Sequence, residues 1–348
     1  MRNFSLCLEK MDSLTQIVLG AAVGEAVAGR KMGAKAALWG AVAGTVPDLD
    51  VFFRLIYDPM DAALAHRGFM HSLLFALLAA PAFGWIFFRL YKRKYTLKSW
   101  TWLWGLGIVT HPILDIFTNY GTQFLWPLDY RITFNTVFVI DPIYTLPFIV
   151  FLLVALFTKK EKPIRSKWNW AGIIWSTGYL FWGVIVKLAI LSNAPSYFEK
   201  HDIKTTNAMV TPMPLTSFYW LIVSEDKEHY YVGYKSLFAD FKKKDIQVIP
   251  KNHKILQRLK WPGKDRTKQL EYITNGYYSV VQSHDTVICY DLRFGTLKQL
   301  TDGTFEQPLM GYGMIVDNGV VQKSFALMPR NAVKAVTFGK YIDKVFGK

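Results

Sequence analysis

Long apolar runs, each close to the length that crosses a hydrocarbon layer, dominate the first half of this 348-residue chain. A bilayer core about 30 Å thick takes about 20 helical residues. Residues 69–90, 100–117, 137–157 and 168–191 each approach that length. Inside lipid every backbone N–H and C=O must be satisfied within its own segment, so such runs fold as helices. Trp85, Trp100, Trp102, Trp104, Trp126, Trp168 and Trp170 lie near the ends or flanks of the runs, where interfacial aromatics belong. Two earlier stretches, 14–28 and 32–46, are shorter and rich in Gly and Ala, and read as short, closely packed or partly re-entrant helices. Gly20/Gly24, Gly29/Gly33 and Gly40/Gly44 repeat the small-xxx-small spacing that lets helix backbones approach.

The remainder differs in kind. After Ser192 charged and β-prone residues alternate: residues 218–223 and 230–234 flank Ser224-Glu225-Asp226-Lys227-Glu228 as in a β-hairpin, 277–282 and 286–292 form a second candidate pair, and 319–328 a further strand. The expected architecture is an α-helical integral membrane domain with about four to six transmembrane or re-entrant helices over residues 1–191, followed by a small β-rich soluble domain over 192–348. The overall content of 51% hydrophobic residues agrees with a partly lipid-embedded chain. Residues 1–10 lack the apolar core of a signal peptide, and the coherent pattern begins at Met11, a candidate start.

A net charge of +15 invites a nucleic-acid reading, but no zinc-finger, arginine-arm or RNA-recognition signature accompanies it. Much of the excess sits in short loops: Lys92, Arg93, Lys94 and Lys98 in one, Lys159, Lys160, Lys162, Arg165 and Lys167 in another. The positive-inside rule makes both cytoplasmic. Alternate threading then sends the 47–68 loop, the 119–136 loop and everything after residue 191 to the extracytoplasmic side of a multi-pass membrane protein. Cys7 and Cys289 form neither a disulfide framework nor a metal knuckle. In the tail, Lys242, Lys243 and Lys244 read as a solvated face or a headgroup contact.

The membrane half carries ionisable residues that lipid disfavours unless they are paired, hydrated or bound to a cation. They are Glu25, Asp48 and Asp50 after Pro47, His66-Arg67 and His71 around Gly68, His111 with Asp115, and Asp141 before Pro142. His111 and Asp115, four apart, share one helix face. Asp48 and Asp50, two apart on an extended backbone, point the same way. His66 and His71 are five apart, with His66 approaching from a loop and His71 from a helix beginning after Gly68. Threading puts Asp48, Asp50, His66, His71, Asp115 and Asp141 at the same outer end of their spans, with His111 about one turn deeper, roughly 6 Å along the axis. Imidazoles mixed with carboxylates suit Zn²⁺, or Mn²⁺ and Fe²⁺, better than Ca²⁺. Asp48, Asp50, His66, His71, His111 and Asp115 are the expected metal ligands, enough for one or two ions. Glu25, Arg67 and Asp141 are the candidates for further catalytic roles, although each taken singly also reads as an ion pair, a snorkelling cation or a helix cap.

At these residues the chain resembles the YdjM-type family of membrane-bound metal-dependent hydrolases. The likeness runs through MDSLTQIVLGAAVGEAVAG (11–29), VPDLD (46–50), HRGFMHS (66–72), THPILDIFTNYGTQ (110–123) and IDPIY (140–144). The resemblance implies metal ligation by the same six Asp and His residues. The family's opening motif commonly reads Thr-His where this chain has Thr15-Gln16. The His-xxx-Asp pair is also loosely similar to the zinc-dependent phospholipase C and P1-type nuclease sites, pointing to phosphoester chemistry. The expected activity is therefore hydrolysis of an ester or phosphoester, a lipid headgroup among the candidates, with membrane lipids as surroundings and a small molecule or lipid as substrate. Against it stand a non-catalytic scaffold with an interhelical polar network or structural metal clip, and solute transport, for which a two-repeat layout is missing.

Overall fold

A computed structural model describes residues 5–243, 246–296, 308–327 and 338–348. Lys244, one of the three consecutive lysines, and Met328, the end of the last expected strand, lie outside these residues. The chain divides into two compact units, one built from Leu6–Phe52 and Ala65–Val184, the other from Phe53–Leu64 and Ile185–Lys348.

In the first unit the order is α1 (Ser5–Met32), α2 (Ala34–Thr45), a 3-10 turn (Pro47–Leu55, continuing past Phe52), a second 3-10 turn (Phe69–His71), then α4 (Leu73–Leu90), α5 (Leu97–Phe117), α6 (Pro142–Phe157) and the first part of α7 (Pro163–Glu199). Helix α3 (Pro59–Ala65) falls largely in the second unit. Local chemistry sets the starts. Ser72 Oγ accepts from Phe75 N, Thr96 Oγ1 from Ser99 N, and Asp141 Oδ1 from Ile143 N and Tyr144 N, each satisfying donors that a first turn leaves open. Pro142 follows its cap at the first helical position, where a missing N–H costs nothing.

Among the described residues two helices are long and apolar enough to cross a membrane, Leu73–Leu90 and Pro163–Glu199. A third span is possible if Ala34–Thr45 and Pro47–Phe53, bent by 40° at their junction, count as one broken or re-entrant segment. This corrects the expectation of about four to six transmembrane or re-entrant helices. The run at 137–157 loses its first residues to the Asp141 cap and leaves a helix of 16 residues, about 24 Å, short of a roughly 30 Å core. Helix α5 has 21 residues, but Lys98, His111 and Asp115 dilute its apolarity, and much of it is buried against neighbours. The stretches 14–28 and 32–46 become parts of a 28-residue α1 and a 12-residue α2, polar at Gln16 and Glu25 in the first.

Glycines set the contact between α1 and α2. A Cβ added at Gly24 would overlap Ala36 O and stand 2.8 Å from Gly40 Cα, and one at Gly44 would stand 2.8 Å from Gln16 O. The Gly20/Gly24 and Gly40/Gly44 pairs thus serve one backbone-to-backbone approach. Gly33 does something else: at φ +63° it turns the chain from α1 into α2. One apolar cluster joins Ala36 and Ala43 of α2 and Val46 just after it to Ala76 and Ala79 of α4 and Trp100, Leu103 and Trp104 of α5.

The second unit carries two antiparallel four-stranded meanders, β1-β2-β3-β4 and β5-β6-β7-β8. The strands are β1 (Asn207–Pro212), β2 (Tyr219–Glu225), β3 (His229–Ser236), β4 (Gln247–Pro250), β5 (Tyr278–Ser283), β6 (Thr286–Thr296), β7 (Pro308–Asp317) and β8 (Val320–Leu327), with α8 (Lys254–Gln257) and α9 (Thr267–Thr274) before β5 and α10 (Phe338–Val345) at the end. The expected hairpin is β2–β3, with Val223 opposite Val232, and its turn is tied by Asp226 Oδ1 accepting from Glu228 N and His229 N. β2 is a continuous apolar run because both its faces are covered. Leu221 and Val223 pack with Leu292 and Tyr341, while Trp220 and Ile222 pack with Val186, Ile190, Ala194 and Phe198 from the end of α7. Segment Phe53–Leu64 joins this unit: Met60 is fully buried among Leu256, Leu270 and Tyr278, and Arg266 pairs with Asp58 at 2.5 Å and Asp61 at 3.1 Å.

Two outcomes follow from this packing. Gly40→Val, forcing α1 and α2 apart, lowers the detergent melting temperature by an amount matching a loss of about 1–3 kcal/mol or more, whereas Gly178→Val, with open space around its Cβ, does not. Burial raises the Asp58 pKa, but the hydrogen bonds from Arg266, Asp61 and Met60 N together outweigh it and carry the carboxyl down to about 2. A depressed carboxyl contributes stability above its unfolded value near 3.8 and loses it as pH falls toward 2. The pair is partly exposed and worth at most about 1 kcal/mol. Arg266→Ala therefore speeds amide exchange in residues 58–65 about fivefold at neutral pH; unchanged exchange would show that the anchor lies elsewhere.

Candidate metal centre

The site lies wholly within the first unit and draws on three elements. Pro47–Leu55 supplies Asp48 and Asp50, the segment before α4 supplies His66, Arg67 and His71, and α5 supplies His111 and Asp115. The backbone at Asp48 and Asp50 is a 3-10 helix, not the extended strand expected from Pro47. At three residues per turn, positions two apart diverge. The two carboxylates accordingly reach opposite edges of one ring: Asp48 Oδ1 stands 3.4 Å from His71 Nε2, and Asp50 Oδ2 stands 3.0 Å from His71 Nδ1.

His71 belongs to the short turn that ends at the α4 cap, not to a helix starting right after Gly68. The turn is fixed from both sides. Arg67 takes a left-handed φ of 64°, uncommon for a non-glycine residue. Its N–H donates to Asp50 Oδ2 at 3.0 Å, and its carbonyl accepts from Gln123 N. Thr122 Oγ1 reaches the carbonyls of Arg67 and His71, and Leu73 N donates to Phe124 O, so the 119–136 loop holds the turn in place.

His111, one turn above Asp115 on α5, directs Nδ1 to the Gly44 carbonyl at 2.6 Å. Its Nε2 is then 3.1 Å from His71 Nε2 and 3.3 Å from Asp48 Oδ1. Asp48, His71 and His111 each offer one donor atom within 4.8 Å of the others. Asp115 Oδ2 adds contacts of 3.4 Å to His71 Nε2 and 3.6 Å to His111 Nε2. It is buried and makes no hydrogen bond, while Oδ1 accepts from Gln16 Nε2 at 3.0 Å. Donors that share a tetrahedral ion with bonds of about 2.0–2.1 Å stand about 3.3–3.4 Å apart. The observed 3.1–3.4 Å edges of the Asp48–His71–His111 triangle have that size.

His66 stands one step out. Its Nδ1 contacts Asp50 Oδ1 at 2.6 Å, so Asp50 bridges it to His71. All six expected ligand residues thus join one contact network, with Asp48, His71 and His111 at its centre. Of the further candidates, Arg67 is present: Nη1 donates to Thr118 Oγ1, Nε lies 3.5 Å from Asp115 Oδ2, and the guanidinium sits 5.0 Å from the Tyr120 ring centroid. Glu25 is elsewhere. It lies nine residues beyond Gln16 on α1, roughly 13 Å along the axis, where Arg165 binds both its oxygens at 2.6 and 2.7 Å. Asp141 caps α6 and accepts from Tyr179 Oη, and the structure gives it no contact to the cluster. The Gly44 carbonyl, Thr118 and Tyr120 were not singled out from sequence. A backbone carbonyl has no residue signature, whereas Gln16 shows itself as an amide inside an apolar stretch.

Asp48, Asp50 and Asp115 against Arg67 leave a local charge of about −2 when both imidazoles are neutral. Buried charge of that size needs a counter-ion. Protonating both rings would instead point two N–H groups at each other across 3.1 Å. A divalent cation between them satisfies the charge, the facing nitrogens and the idle Asp115 oxygen together, so this donor set fits a borderline divalent metal. Asp48, His71 and His111 would hold such an ion, and a fourth position would fall to Asp115 or to water. Asp48 and His66 are the members that reach the surface, with side chains 25% and 23% exposed.

A family model described as YdjM inner membrane protein matches residues 11–190. The chain is also 34% identical over 127 residues to the uncharacterized protein YfhP of Bacillus subtilis (strain 168), covering 34% of this chain and 37% of that relative. The chain thus spans well under half of the curated relative it matches. No solved structure matches. The looser likeness to phospholipase C and P1-type nucleases rests on the His111/Asp115 spacing alone. Asp50→Asn, which keeps the shape but weakens the acceptor behind His71, is expected to lower zinc affinity about 10- to 100-fold in chelator competition while keeping the stoichiometry; an unchanged affinity would remove Asp50 from the site.

Proposed function

This chain belongs to the YdjM inner membrane protein family, and from that membership and the geometry of the cluster we propose that it is a membrane-bound metal-dependent hydrolase of an ester or phosphoester. The observation that carries the proposal is the facing pair of buried imidazole nitrogens, with Asp48 completing a triangle that contains two His and one carboxylate. Asp48, His71 and His111 would hold the ion, with Asp115 in reach as an alternative to water, and Asp50 and the Gly44 carbonyl orient the two rings. When bound, Zn²⁺, Mn²⁺ or Fe²⁺ polarises the scissile group and brings a coordinated water toward ionisation near neutral pH.

The residues around the ion divide the remaining work. Arg67, fixed by Thr118 and the Tyr120 ring, binds an anionic oxygen of the substrate. His66, partly exposed and hydrogen-bonded to Asp50, carries a proton to the departing alcohol. One water is consumed: its oxygen bonds to phosphorus or the acyl carbon, the ester bond breaks, and a water proton ends on the leaving oxygen. Glu25 and Asp141 take no part. We place the site and the β-rich unit on the extracytoplasmic side, because α4 starts two residues after His71 and ends just before Lys92, Arg93 and Lys94.

Partial exposure of Asp48 favours an open, water-bearing ion over a closed structural clip. Purified protein stripped of metal and reloaded is expected to take up Zn²⁺ or Mn²⁺ stoichiometrically and to cleave bis(p-nitrophenyl) phosphate or p-nitrophenyl butyrate. His111→Ala and Asp48→Ala abolish both, whereas Arg67→Ala keeps the metal and loses turnover. Stoichiometric metal in His111→Ala, or none in the unaltered chain, would contradict the assignment.

A further inference from the structure

The 3-10 turn that carries Asp48 and Asp50 has a second face. With three residues per turn, Leu49 and Phe52 fall in one row along it. They are 52% and 61% exposed. Large apolar side chains in such a row do not stay in water without reason. The same turn, through Phe53, makes a membrane-length apolar segment with α2 when the two are taken together across their 40° bend. The ligand-bearing turn is therefore one arm of a bent apolar segment, a broken span or a re-entrant loop.

Neighbouring residues continue this surface. Phe69, 40% exposed and two residues before His71, packs against Trp126 with ring centroids 4.9 Å apart, and Trp126 is itself 37% exposed. Both stand at the start of the span α4, whose Leu73, Leu74, Leu77 and Leu78 are exposed in turn. Trp at the end of a span marks the headgroup level. The surface members of the cluster, Asp48 and His66, sit one residue from Leu49 and three from Phe69 along the chain, so the part of the metal centre that reaches the surface adjoins these exposed apolar residues in sequence.

Resting on the hydrolase reading above, we propose that the substrate is a membrane lipid, taken sideways from the bilayer with its acyl chains along the Leu49–Phe52 row and its ester or phosphoester at the level of Asp48 and His66. A water-soluble ester has no use for that row. A diacyl lipid does: its tails remain in hydrocarbon while the polar bond meets the ion, and Arg67 offers a cation to its phosphate.

The test uses the full chain in phosphatidylcholine/phosphatidylglycerol vesicles, in a Cys7→Ser, Cys289→Ala background. A nitroxide attached at Phe52→Cys is expected to collide with oxygen in preference to a water-soluble nickel chelate, and one at Phe238→Cys, an exposed position in the β-rich unit, to do the reverse. In the metal-loaded protein, Leu49→Ser with Phe52→Ser lowers cleavage of the vesicle lipid about tenfold more than cleavage of bis(p-nitrophenyl) phosphate, the effect of removing buried apolar side chains from a bound chain. A nitroxide at position 52 that prefers the nickel chelate, or equal losses on both substrates, overturns the lipid proposal and leaves the hydrolase reading standing. Absence of stoichiometric metal and of all turnover overturns the hydrolase reading, and the position-52 nitroxide then decides the lipid contact independently.

Discussion

Nε2 of His71 and Nε2 of His111 face each other at 3.1 Å where neither ring is exposed to water. Each ring has an oxygen at its other nitrogen, Asp50 Oδ2 for His71 and the Gly44 carbonyl for His111. With an oxygen beside each Nδ1, the two Nε2 atoms converge on one point, the arrangement in which both rings can ligate a shared cation. The surrounding structure answers to this point. Arg67 adopts a left-handed backbone to bring its N–H to Asp50, and the 3-10 turn spreads Asp48 and Asp50 to opposite edges of one imidazole.

The glycine contact between α1 and α2 belongs to the same construction. Gly20 and Gly24 against Gly40 and Gly44 let two backbones meet without side chains between them. That approach sets where Gly44 lies, and Gly44 holds His111. It also brings Gln16 of α1 beside Asp115. Helix α5 gives up membrane-like apolarity to carry the site, which is tolerable because α2 and α4 cover it. A charge elsewhere in the helical unit is handled by pairing instead: Glu25 and Arg165 form a bidentate pair that neutralises both.

Much of this was legible in the residues because the chemistry is unusual there. Asp and His inside apolar runs have few tolerable explanations, and the pairing of His111 with Asp115 follows from helical spacing. The β2–β3 hairpin could be read from alternation around a polar turn. Other features could not. The number of spans was overstated since a composition window counts cap and turn residues such as Asp141 and Phe69–His71 as helix. The 3-10 geometry at Asp48 depends on how the turn meets α2, which no local preference of Pro47 encodes. Glu25 looked like its acidic neighbours until Arg165, 140 residues away, claimed it. Strands β1, β4 and β7 escaped notice because pairing partners, not their own alternation, make them strands.

The most direct measurement is X-ray absorption at the zinc edge on protein stripped and reloaded with one equivalent of Zn²⁺. The account predicts two imidazole nitrogens and carboxylate oxygen at about 2.0–2.1 Å with an exchangeable light-atom ligand beside them, and loss of imidazole scattering in His71→Ala. A shell without imidazole, or one unchanged by that substitution, would contradict it.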